Sequence, residues 1–162
     1  MRKKLKWAGV IAVVLLIGAQ FLQPERTNPA LDESKEIRAA LEVPVEVRAV
    51  LERSCYDCHS NQTKWPWYSY VAPASWLVSY DVKKGRRQLN FSVWGDYKKN
   101  RQINKLEGIA DQVSQGEMPL KKYVVMHPAA ALSKTEIDLI SKWAEKERDR
   151  LSEPDSTEII EK

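Results

Sequence analysis

Ser54-Cys55-Tyr56-Asp57-Cys58-His59 holds the only two cysteines of this 162-residue chain and one of its two histidines. Two thiols three positions apart, followed at once by an imidazole, form the pattern of c-type haem attachment. In that chemistry the thiols add across two vinyl groups, and the histidine is placed under the iron as proximal ligand. With two histidines in 162 positions, a chance histidine at that place is about a one-in-eighty event. The chain is therefore expected to fold around one haem bonded through Cys55, Cys58 and His59. Two other chemistries use the same residue types. A disulfide or thiol-exchange site does not require His59, and it usually opens a helix in a βαβ setting. A closed zinc site pairs two separated ligand clusters, whereas these three ligands fall within five residues.

The length allows one small domain and one targeting segment, not two domains with separate cores. Arg2, Lys3, Lys4 and Lys6 precede an apolar run, Trp7 to Leu22, in which nine of sixteen residues are Val, Ile, Leu or Phe. On an insertion scale that run is worth roughly −4 kcal/mol. A cut after Ala19 would put Ile17 where a signal peptidase wants a small side chain, so an uncleaved anchor is favoured over a removed signal, and both over a buried core helix. Residues 1–22 are thus expected to be a signal-anchor or transmembrane helix, with the basic end retained and residue 23 onward sent across the membrane. Removing those four basic residues from the 26 leaves 22, equal to the 22 acidic ones. No basic stripe with interleaved aromatics remains, which argues against a nucleic-acid partner.

Apolar spacing predicts an all-α domain. Residues 23–34 are polar, contain Pro24 and Pro29, and read as a linker; residues 35–151 read as the domain, and 152–162 as an acidic, disordered tail. Ile37, Ala40 and Leu41 share one helical face, Pro44 breaks it, and Val47, Val50 and Leu51 form the next, running to Ser54. A further helix is expected near Ala74–Lys84. Another spans Lys98 to Gln115, with Ile103, Leu106, Ala110 and Val113 as its stripe and Gly116 as a left-handed cap. Ser133-x-x-Glu136 is a capping box opening a last helix through Ile137, Ile140 and Ala144. No alternating strand pattern competes.

A haem domain needs a sixth ligand or an open face. Gly116-Glu117-Met118-Pro119 lies between two predicted helices, and a methionine fixed by the following proline suits an axial thioether. His127 is the alternative, Met126 a further competitor, and a flexible core filler is the bland role for Met118. Nine aromatic residues crowd positions 60–97; of these Trp67, Trp76 and Trp94 are expected to wall the pocket, although aromatics anchor any small core. Lys83, Lys84, Arg86 and Arg87 form either a solvated face or a partner for the haem propionates.

The motif just described, together with Trp65-Pro-Trp-Tyr, Leu89-Asn-Phe-Ser92, Gly116-Glu-Met-Pro119, Tyr123, His127 and the Leu132-Ser133 opening of a helix that ends near Trp143, resembles the exported haem-binding domain family of bacterial c-type haem proteins. The likeness covers residues 45–145. It implies one covalently attached haem c on Cys55 and Cys58, His59 as proximal ligand, and Met118 where small cytochromes c place their axial methionine. It also implies a small cytochrome c-like helical domain in the periplasm, held by an inner-membrane anchor. Leu120 stands where members often carry a second proline, and residues 65–97 differ from those of small soluble cytochromes c.

These readings favour mono-haem electron transfer with His/Met ligation, exchanging electrons with an unidentified redox partner and doing no bond chemistry. The alternative is a haem-based sensor or peroxidase-like protein with a labile or open sixth site, in which a distal group such as His127 assists. A third class is a metal-free thiol module. No acid–base pair or nucleophile marks a catalytic site.

Overall fold

The computed structural model describes residues 2–153. Among them every regular element is helical, as the apolar spacing predicts: α1 (Arg2–Ala19), α2 (Ile37–Ala40), α3 (Val45–Ser54), α4 (Tyr56–His59), α5 (Ala74–Gln88), α6 (Lys99–Ser114), α7 (Lys121–Met126) and α8 (Lys134–Ser152), with four short 3-10 turns between them. The tail expected over 152–162 lies outside the described residues from 154 onward.

The transmembrane helix expected at the N-terminus is corrected by the structure. No described helix is long and apolar enough to cross a membrane. α1 has 18 residues, but Arg2, Lys3, Lys4 and Lys6 occupy its start. The apolar remainder rises only about 20 Å, short of the roughly 30 Å hydrocarbon layer. The helix ends at Ala19, where the N–H groups of Gln20, Phe21 and Leu22 bond back three residues instead of four, and Gln20 reaches the domain there: its Nε2 donates to the Ala72 carbonyl at 3.2 Å, and its Oε1 accepts from the Ala72 N–H at 3.0 Å. The single-pass inner-membrane anchor, and the placement of the domain beyond a membrane that rested on it, are withdrawn with it.

Residues 23–34 run against the domain. Trp76 Nε1 donates to the Leu22 carbonyl at 2.6 Å, and Arg86 spans from the Thr27 carbonyl and Asn28 Oδ1 to the Ser60 carbonyl and Thr63 Oγ1. The core lies among α2, α3, α6 and α8, where Ile37, Val47, Leu51, Leu106, Ile140 and Ala144 are fully buried. α6 and α8 form the most extensive helix contact. Each buried Leu or Ile there is worth about 1.5–3 kcal/mol. Gly116, at φ 70°, ends the turn after α6 in the left-handed region as predicted. Both halves of the Ser133–Glu136 capping box form at the start of α8. This scaffold leaves α4, α5 and α7 on one side, and the site lies between them.

Candidate functional site

The chain leaves α3 at Cys55, whose φ of −126° departs from helical values and breaks the helix before a single new turn, α4. The Cys55 carbonyl accepts from the N–H groups of Cys58 at 3.1 Å and His59 at 2.9 Å. That turn sets both thiols and the imidazole on one side. Both cysteines are free and partly buried, and burial pushes each thiol up to about 12. A thioether sulfur has no proton to lose, so the same surroundings impose no charge penalty on it.

His59 Nδ1 lies 3.1 Å from the Leu89 carbonyl. A carbonyl can only accept, so Nδ1 carries the proton and Nε2 is left as the free lone pair, the tautomer a metal ligand needs. Burial also lowers the His59 pKa and favours the neutral ring. The Leu89 carbonyl is itself held in place. Asn90 Nδ2 donates to Asn61 Oδ1 at 2.9 Å, the Asn61 N–H donates to Ser92 Oγ at 3.0 Å, and Asn90 Oδ1 accepts from the Ser92 N–H at 3.0 Å. Leu89-Asn-Phe-Ser92 is thus the brace that aims His59, and the Phe91 ring lies beside the imidazole, tilted by 60° with centroids 6.3 Å apart.

α5 passes unusually close. A Cβ on Gly85 would stand 2.5 Å from the Cys58 carbonyl oxygen and 3.1 Å from its Cβ, so only glycine fits. On the far side, α7 clamps the motif through Tyr123, whose hydroxyl donates to Asp57 Oδ2 at 2.7 Å. Burial and that bond raise the Tyr123 pKa and keep the phenol protonated.

A cavity of about 200 Å³ opens between these elements, and Cys55, Cys58, His59 and Met118 all line it. Met118 reaches it from the loop after α6, where its N–H donates to the Gln112 carbonyl at 3.1 Å. Ser54 Oγ, buried and without a hydrogen-bond partner, lines the same space. An iron porphyrin entering here would meet two thiols, a free imidazole nitrogen, a thioether and an unspent hydroxyl, which is a fitting donor set. Among the described residues no group of three His, Cys, Asp or Glu gathers as a bare metal ion would need.

His127 lines neither this cavity nor a second one of about 220 Å³ that shares part of its wall. Its ring stacks on Tyr123 at 4.3 Å, its Nδ1 lies 3.2 Å from the Tyr123 carbonyl, and the Tyr68 hydroxyl is 3.4 Å away. Met126 is half exposed at the rim of the neighbouring cavity. Of the expected wall residues, none lines either cavity. Trp67 is 75% exposed, Trp76 is 41% exposed and tied to Leu22, and Trp94 is fully buried in the core. The aromatic wall is instead Tyr80 and Tyr123. Lys84 lines the cavity, whereas Lys83 and Arg87 line neither of the two and Arg86 is committed to backbone and side-chain acceptors. Tyr80, Asp81, Lys84, Gly85 and Gln88 share one face of α5, and because most are polar that face reads in the sequence as solvated.

A family model described as a haem-binding domain matches residues 14–146. The cytochrome c peroxidase Ccp of Escherichia coli (strain K12) is 28% identical over 103 residues, which is 60% of this chain and 22% of the relative. The chain thus spans about a fifth of the length of that relative. No solved structure matches.

Proposed function

Because the chain belongs to the haem-binding domain family, we propose that it holds one haem c bonded through Cys55 and Cys58, with His59 and Met118 as axial ligands, and that it transfers single electrons. The observation supporting this most directly is the convergence of those four side chains on one cavity. When bound, the haem supplies an iron that cycles between two oxidation states. The residues of the chain do the rest. The Leu89 carbonyl fixes His59 in one tautomer and orientation. Cys55 and Cys58, on one turn beside α5, would hold the group by their sulfurs. Tyr80 and Tyr123, which line the cavity, would shield it from water. Holding the iron from both His59 and Met118 would suit electron exchange with a redox partner and not bond chemistry.

A second reading, peroxide turnover at an open sixth face, draws on the name of the curated relative. It needs an acid–base side chain over the iron. His127 is the nearest candidate by type, but it is engaged by Tyr123 and Tyr68 outside the cavity. Carbon monoxide separates the two readings. The reduced protein is expected to keep its spectrum under carbon monoxide, and Met118→Ala is expected to bind the gas. Tight binding by the unmodified protein, with peroxide consumption, would sink the electron-transfer reading.

A further inference from the structure

A second cavity, of about 220 Å³, adjoins the first. Asp57, Cys58, Asp81, Leu120, Lys122 and Tyr123 line both, so these residues are the partition between them. Its core is an ion pair, with Lys122 Nζ at 2.9 Å from Asp81 Oδ1 and 2.8 Å from Oδ2. Neither cavity alone reaches the ~300 Å³ at which small-molecule sites begin, whereas the two together exceed it. The second cavity is walled by Pro66, Leu77, Val78, Val82 and Met126, an apolar surface suited to the rest of a macrocycle.

We infer that the two cavities are one crevice divided by the Asp81–Lys122 pair, and that Lys122 exchanges Asp81 for a porphyrin carboxylate when the crevice fills. The inference rests on the haem reading above. Lys122 already stands where it holds a carboxylate, and it is the only basic residue that lines both cavities among those described. Its side chain is 47% exposed and can swing, whereas that of Asp81 is 16% exposed and cannot simply be left unpaired. Lys84 answers that need. It follows Asp81 at i+3 on α5, the spacing at which side chains of one helix meet, and it lines the first cavity. Arg86 cannot compete for the ligand carboxylate because four acceptors already hold it.

The test titrates the full chain, made without haem attachment, with ferric protoporphyrin IX and with its dimethyl ester, which lacks both charges, following the Soret band. The unmodified chain is expected to favour the diacid by about tenfold, the scale of one charge-assisted hydrogen bond. In Lys122→Gln that preference should fall below about twofold while ester affinity is unchanged, which also verifies that the variant is folded. Lys84→Gln should lower the preference, because the exchange then leaves Asp81 without a cation, and Asp81→Asn should strengthen diacid binding by removing its competitor. An undiminished preference in Lys122→Gln, or no preference in the unmodified chain, overturns the inference while leaving the haem reading intact. Should Lys122→Gln lose both ligands, Asp81→Asn decides: tighter diacid binding supports the exchange, and unchanged or weaker binding overturns it. Failure of the unmodified chain to bind either porphyrin overturns this inference, and the haem reading is then decided separately by covalent attachment in the matured protein.

Discussion

Gly85 shows how one side chain sets the site. The helix α5 can lie against the Cys58 backbone only because position 85 has no Cβ. Gly85→Ala is expected to cost about 1–3 kcal/mol through the forced separation of α4 and α5, measured as a shift in urea midpoint. Gly108→Ala, in the middle of α6 with nothing within 4 Å of the added carbon, should instead stabilise by about 0.5–1 kcal/mol. If both changes destabilise equally, the close approach at Gly85 is not what constrains it. The axial assignment is tested at the same scale. Met118→Ala should abolish the near-infrared charge-transfer band of methionine–iron ligation in the matured ferric protein, and His127→Ala should leave it. The reverse outcome would make His127 the ligand. Cys55, Cys58, His59 and Met118 stand out in the sequence because their types are rare and their chemistry is specific, and the fold brings all four to one cavity. The sequence hid Gly85, since a glycine in a helical run has no visible neighbour until Cys58 is placed beside it.

Among the elements, α8 is the one whose start is most fully specified. Ser133 caps it, Glu136 closes the box, and Arg53 at the end of α3 binds Glu136 Oε1 at 2.8 Å, tying α8 to the helix that leads into the motif. Ser133→Ala is expected to cost about 1 kcal/mol. The bond from the Ser133 backbone, then Arg53, holds the Glu136 carboxyl down at about 2, against an ordinary 4.5. A folded-state pKa below the unfolded one gives stabilisation that is complete above pH 4.5 and is lost as pH falls toward 2. Urea midpoints across that window should therefore decline, and more shallowly in Glu136→Gln, with salt weakening the effect because the pair is at the surface. Equal slopes in the two proteins would remove Glu136 from the acid response. The box and the stripes of α3, α6 and α8 were readable from 3.6-residue spacing. α4 and α7 were not, since four and six residues are too short to show a period.

At the scale of the molecule, the all-α architecture follows from apolar stripes and the lack of strand alternation, and the position of the motif at the end of α3 follows from Val47, Val50 and Leu51. Two things escaped the sequence. The N-terminal run looked continuous from Trp7 to Leu22, yet its helix ends where Gln20 bonds Ala72, a contact across 52 positions. The crowding of nine aromatics points to Trp67, Trp76 and Trp94 as pocket wall. Burial, however, depends on which helix face meets α4, and that places Tyr80 and Tyr123 at the cavity while Trp94 fills the core and Trp67 faces solvent. The central claim is a haem joined to the chain by Cys55 and Cys58. Its most direct test is to mature the protein in a host with c-type assembly machinery, denature it, and extract with acidified acetone. The pigment should stay with the polypeptide and give a thioether-type pyridine haemochrome, and Cys55→Ala with Cys58→Ala should release or never acquire it. Pigment that passes into the solvent from the unaltered chain, or a chain that is colourless from the start, would contradict the account.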